Sequence, residues 1–190
     1  MKKIYFDDKN FRGVDYSVET LIEGDYNNCT FTACNFSNTN LSGINFEDCR
    51  FDNCDLSNAK TAKTAFQNIS FKNCKILGLH FDECNSFLLS FSFDNCQLNL
   101  SSFYQLKIKS TKFKNCILHE VDFTETDFTA SEFENCDLMG AIFGYTILEK
   151  VDFSTSVNFS IDPDINRIKK AKFSVQGAAG LLHKYDIKIL

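Results

Sequence analysis

Large apolar residues recur every five positions along most of this chain. Stepping by five from Phe6 meets Phe6, Phe11, Tyr16, Leu21, Tyr26, Phe31, Phe36, Leu41, Phe46, Phe51, Leu56, Thr61, Phe66, Phe71, Ile76 and Phe81. The register then slips by two residues and resumes as Phe93, Leu98, Phe103, Ile108, Phe113, Leu118, Phe123, Phe128, Phe133, Leu138, Phe143, Leu148 and Phe153. Thr61 alone is off type. Two residues before each of these centres stands a small or modest side chain. All nine cysteines are there (Cys29, Cys34, Cys49, Cys54, Cys74, Cys84, Cys96, Cys116 and Cys136), with Thr39, Ile44, Ala59, Ile69, Leu79, Val121, Ala141 and Val151. The other three positions of each five are mostly polar. A five-residue unit matches neither the helical period of 3.6 nor a sustained strand period of 2. Two inward residues at spacing two describe a very short strand followed by a corner, and four corners close a square turn.

A square turn requires a superimposed period of 20, and the chain has one. Phe11, Phe31, Phe51, Phe71, Phe93, Phe113, Phe133, Phe153 and Phe173 form one column, with a single 22-residue step at the slip. A second column holds Tyr16, Phe36, Leu56, Ile76, Leu98, Leu118 and Leu138, with Cys34, Cys54, Cys74, Cys96, Cys116 and Cys136 at its small position. The third contains Leu41, Thr61, Phe81, Phe103, Phe123 and Phe143. The fourth contains Tyr26, Phe46, Phe66, Ile108, Phe128 and Leu148. An asparagine precedes the cysteine in five copies of one corner (Asn53, Asn73, Asn95, Asn115, Asn135), which predicts a hydrogen-bonded ladder.

Units such as CNFSN (34–38), CDLSN (54–58), VDFTE (121–125), CDLMG (136–140) and VDFST (151–155) resemble the pentapeptide-repeat family, whose unit is Ala/Cys-Asp/Asn-Leu/Phe-x-x. The resemblance runs over residues 6–153 and Phe173. It implies an all-β solenoid, a right-handed quadrilateral β-helix of about seven to eight coils stacked at roughly 4.8 Å. Such a stack needs capped ends. We assign residues 1–173 to the solenoid and 174–190 to a C-terminal cap helix and tail. Two breaks are expected within the solenoid. Near 84–92 two extra residues bulge out, with Leu88 replacing Ser86 as the inward residue. Over 155–170 the Asp162-Pro163 pair opens a short helical excursion, because proline suits a first helical position. Ser174 then N-caps a second short helix ending near Tyr185. Leu181 and Leu182 should cover the open end, and residues 186–190 read as a terminal strand. Because related gyrase-targeting members dimerise at this end, Leu181, Leu182, Tyr185, Ile187 and Ile189 are either a cap on a monomer or a homodimer face.

Composition narrows the chemistry. With one Pro and 8 Gly the chain cannot build many tight hairpins, so its turns are made another way. No stretch reaches the roughly 20 apolar residues of a membrane helix, and the start of the chain lacks an apolar signal region. A cytoplasmic, reducing location is expected. The cysteines are odd in number and mostly spaced by multiples of five, unlike zinc ligand pairs. Inside a Phe-lined tube a thiolate is poorly solvated, so these are small core residues. His80, His119 and His183 fall on different sides and cannot converge. There is no phosphate-binding glycine loop. We therefore expect no catalysis, no metal and no cofactor.

Charge is banded. Residues 95–119 carry Lys107, Lys109, Lys112 and Lys114 without an acid. Residues 117–149 carry Glu120, Asp122, Glu125, Asp127, Glu132, Glu134, Asp137 and Glu149 without Lys or Arg, and by their place in the repeat all should point outward. The first seven form the candidate interaction surface. The family resemblance implies a DNA-mimicking rod that modulates DNA gyrase or topoisomerase IV, its carboxylates standing in for phosphates. Against this stand a net charge of only −5 and the lack of long projecting loops. The alternative is a protein–protein scaffold with another cytoplasmic partner. Neither reading calls for direct nucleic-acid or membrane binding.

Overall fold

The computed structural model describes residues 4–188. Its nine-stranded parallel sheet runs from Asn10–Arg12 to Lys172–Phe173 and contains the whole Phe column in register. Nine strands enclose eight turns, at the upper end of the expected count. Three further walls stand beside it. Parallel bridges such as Asp55↔Lys75 and Ile117↔Asp137 form the second, and His80↔Ser102, Ser102↔Asp122 and Asp122↔Ile142 the third. The fourth begins as a four-stranded sheet from Ile4–Asp7 to Ala65–Gln67 and continues as Lys107↔Asp127, Asp127↔Ile147 and Ile147↔Arg167. The four sides read from the 20-residue period are these four walls.

Each centre residue stacks on its equivalent one coil away and meets the next column edge-on. Phe113, fully buried, lies 5.0 Å from Phe93 and 4.7 Å from Phe133 in near-parallel stacks, and 5.9 Å from Phe103 at 82°. Offset stacks and edge contacts are the geometries aromatic quadrupoles favour. Thr61 is also fully buried and satisfies its hydroxyl by donating to the His80 carbonyl at 2.6 Å.

The corners answer how turns form with so little glycine. The second residue after most centres has positive φ, as at Asn53, Asn73, Asn95, Asn115 and Asn135, all at 52–53°. Asparagine tolerates this left-handed region better than other non-glycine residues. The predicted ladder forms in part. Asn95 donates to Asn73 at 2.8 Å and Asn135 to Asn115 at 3.3 Å, whereas Asn73 turns to Asp52 at 3.0 Å.

The small positions carry a second function. Their side chains donate to the carbonyl of a centre residue in the preceding coil: Cys54 to Phe31 at 3.4 Å, Thr126 to Phe103 at 2.7 Å, Ser156 to Phe133 at 2.6 Å. A buried carbonyl left without a donor is costly. Cys, Ser and Thr therefore share this position because each is small and carries a donor. All nine cysteines are buried and unbridged. Burial pushes the Cys49 and Cys84 thiols up to about 12, which suits neutral core groups.

At the slip, the inward residue is not Leu88. Leu88 is a positive-φ corner and 63% exposed, and its neighbour Phe87 is 67% exposed, while Leu89 and Phe91 are buried. Phe91 pairs with Ile69, a small position, and its ring packs 5.0 Å from Phe81 and 5.2 Å from Phe93. The phenyl fills core volume that the missing fourth-column residue would have occupied.

Three expectations for the C-terminal part are corrected. No helix forms over 155–170. The Asp162-Pro163 segment makes one turn, with Asn166 N–H reaching the Asp162 carbonyl at 3.2 Å. Asn166 then takes a small position, donating to the Phe143 carbonyl at 3.0 Å, and Arg167 bridges to Ile147. The 20-residue register places these residues on the fourth wall, and bonds to the preceding coil replace those a helix would make. The cap helix is instead two 3-10 turns, Gly177–Leu181 and His183–Tyr185, with Ser174 Oγ accepting from Gly177 N–H at 2.9 Å. Its glycines disfavour an α-helix. They also lie too close to Phe159 for any side chain. Finally, residues 186–188 form no strand, and Ile189 lies outside the described residues.

The open end is closed by Phe159 and Phe173, each 5.6 Å from Phe153, with Leu181 packed against the core. Leu182, Tyr185 and Ile187 are exposed and take little part.

Candidate interaction surface

The seven acidic residues singled out from the sequence wind around the rod. Glu132 and Glu134 flank Phe133 on the first wall, Asp137 is on the second, Asp122 on the third and Asp127 on the fourth. Glu120 and Glu125 occupy positive-φ corners at either edge of the third wall. No single flat partner could meet all seven.

Three of them build corners. Asp122, Asp127 and Asp137 each stand just before a centre and accept, through Oδ1, the N–H two residues on: Thr124 at 2.9 Å, Thr129 at 3.0 Å and Met139 at 3.2 Å. The same bond recurs at Asp55 and Asp152. This local turn explains why Asp or Asn sits at that place in the unit. Asp127 does not project as expected. It is 9% exposed, bonded also to the Thr129 hydroxyl at 2.6 Å and to Lys109 at 3.2 Å. Burial alone would raise its carboxyl pKa; the Thr129 bonds and Lys109 outweigh it and hold the group below the usual range.

Others are neutralised across coils. Glu132 pairs with Lys112 at 3.8 Å, Glu134 with Lys114 at 3.0 Å, Asp152 with Lys172 at 3.0 Å and Glu149 with Arg167 at 2.6 Å. His119 Nε2 lies 2.9 Å from Asp137. The basic and acidic bands of the sequence are thus stacked on one another, and the rod is far less segregated than the linear chain. Applying the 20-residue step to the charges gives Lys112 over Glu132 and Lys114 over Glu134 directly. Exposed pairs of this kind contribute about 0–1 kcal/mol each.

The third wall is the exception. Among the described residues no cationic side chain pairs with Glu120 or Asp122, and Glu125 accepts only from Gln105, at 2.9 Å. Among those same residues no cluster of three His, Cys, Asp or Glu side chains is placed to hold a metal ion. Among the described residues no helix is long and apolar enough to cross a membrane.

A closed, four-walled parallel β-solenoid built on a five-residue unit is the class of protein these features define. Family models confirm it: one for a pentapeptide repeat region matches residues 24–86 and 44–123, and one for pentapeptide repeats matches 116–154. The chain belongs to the pentapeptide-repeat family. No curated protein matches its sequence significantly. Among solved structures, a trypsin-treated variant of QnrB1, a plasmid-mediated fluoroquinolone resistance protein, superposes with a TM-score of 0.67 at 16% identity, covering 98% of this chain and 92% of that one. Full-length QnrB1 gives 0.52 at 18% identity, covering 96% and 100%. HetL of the cyanobacterium Nostoc, involved in heterocyst differentiation regulation, gives 0.58 at 15% identity, covering 92% and 86%. At these identities the likeness is one of fold.

Proposed function

We propose that the protein is a non-catalytic binding module whose rod docks on a protein that ordinarily holds duplex DNA, with DNA gyrase or topoisomerase IV as the candidate partner. The observation that carries this reading is the narrow rod with the unneutralised carboxylates of Glu120, Asp122 and Glu125 on one wall, in a fold shared with a fluoroquinolone resistance protein. A supercoiling assay with purified gyrase, with and without fluoroquinolone, tests it. We expect inhibition or drug protection at micromolar protein that fades with added salt. Unchanged supercoiling at low salt would refute the topoisomerase partner.

A second reading, a scaffold for another protein, is favoured by one specific feature. Exposed apolar residues such as Leu100, Ile142 and Tyr145 interrupt the carboxylates, and the phosphate backbone of duplex DNA offers nothing of that kind. Capture of topoisomerase subunits from a bacterial lysate would speak for the first reading, and capture of a different protein for this one.

The C-terminal end is further proposed as a homodimer face, since Val175, Leu182, Tyr185 and Ile187 leave it apolar and exposed. Sedimentation velocity should then show a dimer that Tyr185→Glu with Ile187→Glu converts to monomer. A monomer at high micromolar concentration would exclude it.

A further inference from the structure

We propose that the third wall, over the three coils containing residues 100–105, 120–125 and 140–145, is a docking face for an arginine-rich segment of a protein partner. The inference rests on the reading of this chain as a binding module and specifies which surface binds and by what chemistry.

The wall presents three parallel rows. Ser102, Asp122 and Ile142 are bridged in one column, which sets the alignment of the rows. The upper row offers Leu100 and Tyr104, both exposed; the middle row offers Glu120, Asp122 and Glu125; the lower row offers Ile142 and Tyr145. A band of three carboxylates therefore lies between two apolar and aromatic bands, across roughly 10 Å of rod.

Two features separate this face from the others. On the other walls of the same stretch, Asp127, Glu132, Glu134, Asp137, Glu149 and Asp152 each face Lys, Arg or His on an adjoining coil. Here Glu120 and Asp122 have no cationic partner among the described residues, and none of the residues in the three rows is basic. Asp122 spends only Oδ1 on its corner bond to Thr124. The apolar residues are also unusually prominent, with Leu100 61% and Tyr145 69% exposed, each on a positive-φ corner where neither contributes to the core. In the lower row Gly140 and Gly144 carry no side chain on either side of Ile142. A methyl at Gly140 would stand 3.1 Å from Glu120 Cγ. Glycine there keeps the approach to that carboxylate open.

Charge complementarity calls for a cation, and the aromatic rows choose its type. A guanidinium pairs with a carboxylate through two parallel N–H bonds. It also stacks on tyrosine faces and is more weakly hydrated than an ammonium. An arginine flanked by apolar residues satisfies the acidic row and both apolar rows together. Lysine satisfies only the charge.

The test uses the full chain and a fluorescein-labelled peptide of alternating arginine and leucine, read by anisotropy at low salt. Glu120→Gln with Asp122→Asn keeps the shape of both side chains and the acceptor for Thr124, so the corners should survive. We expect this variant to bind the peptide at least tenfold more weakly, Glu132→Gln with Glu134→Gln less than threefold, and the lysine–leucine analogue to bind the parent several-fold less tightly. Equal loss in the two double variants, or no peptide binding by the parent, would overturn the proposal. So would sedimentation showing that the third wall is occupied by a second copy of this chain, with the Glu120/Asp122 variant dissociating it. The supercoiling assay run alongside separates the two readings. Peptide binding without an effect on gyrase removes the topoisomerase partner and keeps this face. An effect on gyrase without peptide binding does the reverse.

Discussion

Replacing Phe113 with alanine should lower the free energy of unfolding by about 3–5 kcal/mol, the range for truncating a fully buried phenylalanine. The ring is held from every side. Phe93 and Phe133 stack above and below it, while Phe103, Phe123 and Phe128 meet it edge-on. Neighbouring rings cannot close the gap, because each is fixed by the register of its own coil. A solenoid coil contacts only its neighbours, so the effect depends on position. At the N-terminal end Phe11 is only partly buried and stacks on a single equivalent, Phe31, at 4.8 Å. Phe11→Ala should cost about 1–2 kcal/mol, less than the usual range for a buried ring. Urea denaturation of both variants checks this. Equal losses would show that the column does not act through stacking between coils.

Gly180→Leu should detach the C-terminal cap while leaving the rod folded. Gly180 is buried, and a Cβ there would collide with the backbone carbonyl oxygen of Phe159 and stand 2.9 Å from its ring. Backbone cannot yield as a side-chain tip can, and overpacking of this kind costs about 1–3 kcal/mol or more. The Ile161 N–H bond to the Gly180 carbonyl, at 3.0 Å, would be lost with it. Hydrogen exchange should show residues 174–188 unprotected while the Phe column stays protected. Gly144→Ala is the control, since its Cβ would meet Thr124 only at ordinary contact distance, 3.4 Å. If Gly180→Leu keeps the cap protected, Phe159 is not what the cap docks on.

The five-residue and 20-residue periods determined the walls, the Phe and Cys columns and the interior place of all nine thiols, because each of these depends only on whether a side chain faces in or out. Spacing in the chain encodes that directly. The tertiary structure alone decided three things. Phe91 replaced Leu88 inside at the slip, since filling a core vacancy is a matter of volume and not of count. Residues 163–169 joined the wall although Asp162-Pro163 is a sound helix start, because bonds to the preceding coil were available to a segment in register. And the acidic band broke into corner-building aspartates, cross-coil ion pairs and one unneutralised row on the third wall. Charges five residues apart, such as Asp122 and Asp127, lie on different walls, whereas charges twenty residues apart, such as Lys114 and Glu134, are in contact. The residues that remain free to bind are set by how coils stack.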